Sequence, residues 1–132
     1  MKSILIADDE PGIRELAKRA LASAGYSMFE AGNGHEAIKV MERVNIDLAV
    51  MDIIMPSKEG VETILEIKTR WPNCKILAIS GGGRIAAQDF LALAQHVGAD
   101  ETLKKPFKFD ELVGMAEGML TPAVAPLAAE AV

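Results

Sequence analysis

Side chains capable of chemistry stand at four matched places in this sequence: a run of acids at Asp8, Asp9 and Glu10, a single acid at Asp52, a hydroxyl at Ser80 beside Gly81, Gly82 and Gly83, and two amines at Lys104 and Lys105. Each group ends or immediately follows a short strand-like run. Carboxylates gathered at one place repel and shift one another's titration unless a cation sits among them, and a set of oxygen ligands suits hard Mg2+ better than zinc. A lysine opposite completes the charge balance. Taken singly, each group also has an ordinary use. Asp8 to Glu10 can cap a helix and favour its dipole, Asp52 can belong to a turn, and Ser80 with its glycines can be a plain loop. What favours the chemical reading is that four independent strand ends deliver acid, acid, hydroxyl and lysine together.

The elements that must position these groups alternate along the chain. Short apolar runs followed by helical patterns, counted five times, are the signature of βα units and a parallel sheet, an α/β fold. Ile4 to Ala7, Leu48 to Met51 and Ile76 to Ile79 are continuously apolar, as central strands covered on both faces must be. Ser27 to Ala31 and Glu101 to Lys104 carry polar residues and suit the sheet edges. In such a sheet ligands gather outside the carboxyl ends of the strands, where the groups above fall.

The first helix opens near Pro11 and shows Ile13, Leu16, Ala17, Ala20, Leu21 and Ala24 on one face, with Gly25 as a left-handed C-cap. Asn33 and Glu36 resemble a capping box for a second helix with Ala37, Ile38, Met41 and Val44 inward. A third is expected from about Ser57 to Arg70, ended by Trp71-Pro72, with Val61, Ile64 and Leu65 inward. A fourth places Ala86, Phe90, Leu93, Ala94 and Val97 on one face and stops at Gly98; a fifth carries Leu112, Ala116, Met119 and Leu120.

At 132 residues the chain is expected to form one domain over residues 1–120, followed by an Ala- and Pro-rich, loosely ordered tail over 121–132. A hydrophobic half and a charged quarter place it among folded proteins. The formal charge of −5 argues against direct binding to nucleic acid or an anionic membrane surface. No apolar run suits membrane insertion or a signal peptide, so a cytoplasmic location is expected. Cys74 lacks a second Cys or a nearby His and reads as a packing residue; His35 and His96 stand on different helices, away from the acids.

The motifs Ala7-Asp8-Asp9-Glu10-Pro11, Met51-Asp52-Ile53-Ile54-Met55-Pro56, Ser80 and Lys105-Pro106-Phe107 together resemble the receiver domain of response regulators, the phosphoacceptor half of two-component signalling, over about Lys2 to Leu120. The resemblance implies a flavodoxin-like, doubly wound (βα)5 fold with a five-stranded parallel sheet of order 2-1-3-4-5, and a cis peptide between Lys105 and Pro106. It implies that Asp52 is the nucleophile, assisted by Ser80 and Lys105. Mg2+ would be bound directly by Asp9, Asp52 and the carbonyl of Ile54, and through water by Asp8. The partners implied are a sensor histidine kinase or histidine phosphotransfer protein upstream and an unidentified protein downstream. The chain is accordingly expected to be a stand-alone receiver, a phosphoacceptor and not an enzyme proper, that signals by phosphorylation-dependent protein binding.

Two features depart from the pattern. Thr102 occupies the position of the usual aromatic switch and cannot move comparable apolar area between solvent and core, and the loop Ser80 to Arg84 is unusually rich in glycine. The state change is therefore expected mainly in the loop from Gly81 to about Ala87. With Ile54 and Gly82 flanking the phosphoryl group, neither able to orient water, a long-lived phosphorylated state is expected. An aspartate-nucleophile phosphatase is the alternative from the enzyme class, but such enzymes usually carry a second Asp where Ile54 stands. A flavin or nucleotide carrier on this fold would need a Gly-rich loop after the first strand and aromatic residues to hold a ring.

Overall fold

The computed structural model describes residues 1–53, 59–80, 92–93 and 96–121. In chain order these form β1 (Ser3–Ala7), α1 (Pro11–Ser23), β2 (Ser27–Ala31), α2 (Gly34–Arg43), β3 (Leu48–Asp52), α3 (Glu59–Arg70), β4 (Lys75–Ser80), β5 (Glu101–Lys104) and α4 (Phe109–Leu120). The strands make one parallel sheet of order β2-β1-β3-β4-β5, so the three continuously apolar runs are its central strands and the two polar ones its edges.

Side chains alternate across a strand, and that period of two sorts the core into two layers. Leu5, Ala7, Ala49, Met51, Ile76 and Ala78 face one side and pack with Ala37, Met41, Ile64, Ile67 and Val97. Ile4, Ile6, Leu48, Val50, Leu77 and Ile79 face the other and pack with Ala17 and Leu21 of α1 and Leu112 and Ala116 of α4. Helices thus cover both faces, which is the doubly wound arrangement and the reason the central strands carry no polar alternation.

Local signals set the element ends. Pro11 stands at the start of α1. Gly25, just past its C-cap, has φ +102°, a conformation a side chain would strain. Asn33 caps α2 by accepting the Glu36 N–H at 2.9 Å, but Glu36 reaches back to the N–H of Gly32 at 2.7 Å and not to that of Asn33, so the box closes one residue early.

Three expected core positions face outward. Leu16 is 48% and Leu65 is 45% exposed. Successive helical residues are rotated by about 100°, so with Ala17 and Leu21 turned inward on α1, and Ile64 and Ile67 inward on α3, Leu16 and Leu65 lie off the buried stripe. Ala24 is likewise exposed, at the C-cap of α1.

Of the expected fourth helix, Leu93 and Val97 pack on the core and Gly98 has φ +95°; Ala86, Phe90 and Ala94 lie outside the described residues. So do Ile54, the loop from Gly81 to Ala87 and the tail beyond Thr121. Among the described residues no helix is long and apolar enough to cross a membrane.

Candidate functional site

The register brings the carboxyl ends of the strands to one rim: Ala7 pairs with Ala31 and Met51, Asp52 with Ile79, and Ser80 with Lys104. The ladder runs on past the strands, with Ile53 N–H donating to the Ile79 carbonyl at 3.0 Å and Lys105 N–H to the Ser80 carbonyl at 2.8 Å.

Asp8 is fully buried and held on every side. Its N–H donates to the Ala31 carbonyl at 3.2 Å, its carbonyl accepts from Arg14 Nη1 at 2.7 Å, and its Oδ1 accepts the Glu10 N–H at 2.9 Å. The remaining oxygen, Oδ2, accepts from Lys105 Nζ at 2.7 Å. The capping explanation for the acids fails, because the N-cap of α1 is Glu10 and makes no side-chain cap bond. These carboxylates are directed into the site.

Asp52, the last residue of β3 and 3% exposed, accepts from Lys105 Nζ at 3.2 Å. Asp9 is exposed, yet it offers an oxygen to the same cluster: one carboxylate oxygen each from Asp8, Asp9 and Asp52 lies within 4.8 Å of the others. Ser80 ends β4 at 1% exposure, one residue beyond the register partner of Asp52. Of the two lysines, Lys105 and not Lys104 reaches Asp8 and Asp52, and the Lys105-Pro106 peptide is cis. Ile54 lies outside the described residues.

Burial alone would lower the Lys105 ammonium, but the hydrogen bond to Asp8, the charges of Asp52 and Asp8 and the contact with Glu10 outweigh it and raise the group above the ordinary lysine range. Lys105 is a fixed positive charge at neutral pH. An all-oxygen donor set, two of its three carboxylates buried, beside one fixed ammonium is a fit for a hard divalent cation.

Three further residues shape the site without a role in the sequence reading. Glu10 Oε1 lies 3.2 Å from Lys105 Nζ; its place in the acidic run was legible, its contact was not. Arg14 ties the acidic loop to β2 by pairing through Nε with Glu30 at 3.1 Å while it holds the Asp8 carbonyl. Gly60, in the first turn of α3, lets that helix lie against the end of β3: an added Cβ would overlap the Asp52 carbonyl oxygen and stand 2.8 Å from Ile53 Cα. A glycine soon after a strand end was the one available signal.

A cleft of about 900 Å3 opens at the opposite end of the sheet, between Lys2, Asp47, Lys75, Asp100 and Met115. It shares no residue with the carboxylate cluster.

Residues 4–117 match the family model of the response regulator receiver domain. The chain is 35% identical to the chemotaxis protein CheY of Thermotoga maritima, over 85% of this chain and 92% of that protein. The solved structure of the response regulator protein TrrA from the same organism, in complex with Mg2+-BeF, superposes with a TM-score of 0.79 at 38% identity, covering 91% of this chain and all of that one. The chain is also 33% identical to the sensor kinase CckA of Brucella abortus, of which it spans 12%, and it spans 55% of the response regulator MprA of Mycobacterium leprae.

Proposed function

This chain belongs to the response regulator receiver family, and we propose that it takes a phosphoryl group onto Asp52 from a sensor histidine kinase or a histidine phosphotransfer protein and signals by phosphorylation-dependent binding to another protein. The observation that carries the reading is the placement of Lys105 Nζ between Asp8 and Asp52 at the carboxyl rim of the sheet, 2.7 and 3.2 Å away. A buried carboxylate at a strand end is a nucleophile only if the charge arriving with its electrophile is neutralised, and Lys105 is a fixed cation within reach.

On this reading one Asp52 oxygen attacks phosphorus while the P–N bond of a phosphohistidine breaks, its electron pair returning to the imidazole. Lys105 and the Ser80 hydroxyl stabilise the equatorial oxygens of a loose transition state, and the product is an acyl phosphate. Asp8, Asp9 and Asp52, joined through the family resemblance by the Ile54 carbonyl, are the groups assigned to Mg2+, which when bound would supply further positive charge to the phosphoryl oxygens. The Mg2+-BeF complex of TrrA supports that assignment by similarity. Ser80 responds to the new acceptor oxygens, which gives the domain two states to be told apart by a partner. Hydrolysis of the acyl phosphate is slow, because neither Ile54 nor Gly82 carries a group to orient water.

Incubation with Mg2+ and acetyl phosphate, followed by intact mass, should add one phosphoryl group to the wild-type chain and none to Asp52→Ala. Equal labelling of the variant, or no labelling of the wild type, would remove the assignment.

A further inference from the structure

An ammonium has three N–H donors and no acceptor. At Lys105 three carboxylates of very unequal burial share them: Asp8 at 2.7 Å with a side chain 0% exposed, Asp52 at 3.2 Å and 4%, and Glu10 at 3.2 Å and 63%. An anion bound at Asp52 and neutralised by Lys105 needs one of these donors, so one carboxylate must give up its place. Asp8 cannot leave without stranding a buried charge, which is among the more costly changes a protein can make. Asp52 is where the anion attaches. Glu10 can return its charge to water, and pairs at that exposure are weak.

We propose that Glu10 is a positioning residue that holds one donor of Lys105 and acts as a built-in competitor for the phosphoryl group, released when that group arrives. This rests on the phosphoacceptor reading of Asp52. Before loading, Glu10 helps keep the lysine at the mouth of the site; during loading, its negative charge opposes the incoming anion and lowers the affinity of the site for it. Its place beside Pro11, at the N-cap of α1, fixes the backbone from which the side chain reaches over.

The test is calorimetric titration of beryllofluoride, a phosphoryl mimic, into the full chain at saturating Mg2+, comparing the wild type with Glu10→Gln and Asp52→Ala. Glu10→Gln keeps the length of the side chain and removes its charge. It should bind beryllofluoride about threefold to tenfold more tightly than the wild type, the size expected for one partly exposed charge near the ligand. The gap should narrow as salt is raised, because screening acts on an exposed charge. A merely structural contribution would shift the melting midpoint and leave the ratio of affinities insensitive to salt. Equal or weaker binding by Glu10→Gln, or a gap that salt does not change, overturns the proposal for Glu10. If instead the wild type fails to bind, or Asp52→Ala binds as well, the phosphoacceptor reading fails and this inference with it; wild-type binding that Asp52→Ala abolishes keeps the two failures apart.

Discussion

Gly60→Ala puts the smallest side chain where two backbones meet. The new Cβ would overlap the Asp52 carbonyl oxygen and lie 2.8 Å from Ile53 Cα, whereas ordinary contacts begin near 3.4 Å, so to clear the closer of the two, α3 or the end of β3 must give way by about 1 Å. Both obstructing atoms are backbone, and the Ile53 N–H is itself tied to Ile79 at 3.0 Å, so no side chain can rotate aside to absorb the overlap. Overpacking of this kind costs about 1–3 kcal/mol. The strain falls on the residue that bears the proposed nucleophile, and a displacement of the order of 1 Å in a reacting group lowers rates by up to about 100-fold. We expect urea denaturation to show a loss of about 2 kcal/mol, and acetyl-phosphate labelling of the folded variant to slow by about ten- to 100-fold. The informative controls are Gly114→Ala and Gly118→Ala, since at both positions an added Cβ meets nothing within 4 Å. A Gly60→Ala chain that labels at the wild-type rate with unchanged stability would refute the reasoning.

Gly114 and Gly118 lie inside α4 with open space around them, so replacing either by alanine should stabilise the chain by about 0.5–1 kcal/mol in the same denaturation assay without altering labelling. Metal titration should find Mg2+ affinity reduced more by Asp9→Ala than by Asp8→Ala, because the second residue already has its Oδ2 bonded to Lys105; the reverse order would exchange their assigned roles. Burial pushes the Cys74 thiol up from 9.0 to about 11, so alkylation of the native chain should be slow at neutral pH and its rate should climb only toward pH 11, while the urea-unfolded chain responds near pH 9. The sign of the linked stability follows: from about pH 9 the unfolded thiol loses its proton first, so this residue's contribution to stability falls as pH rises toward 11.

The strands, their central or edge rank and the identity of Asp52 as the acid at the end of β3 were legible in the sequence, because each is reported by a short-range pattern. A run such as Leu48 to Met51 has no polar alternation only when helices cover both of its faces, and that requirement is written into consecutive residues. The strand order was available only through resemblance to a known family, since no local spacing encodes which strands become neighbours. Choices among adjacent residues were decided by the tertiary structure. Asp8 is buried while Asp9 is exposed, and Leu16 and Leu65 turn outward although both are apolar, whereas the choice of Lys105 over Lys104 was already available through the family motif. The same holds for the Glu10 contact and for the close approach at Gly60. The bond from Lys105 to Asp8 spans 97 residues of chain. Residue type and periodicity say what a segment can bury, whereas a contact between distant segments depends on strand order, register and the rotation of each helix about its axis. Those quantities are fixed only when all the elements pack at once.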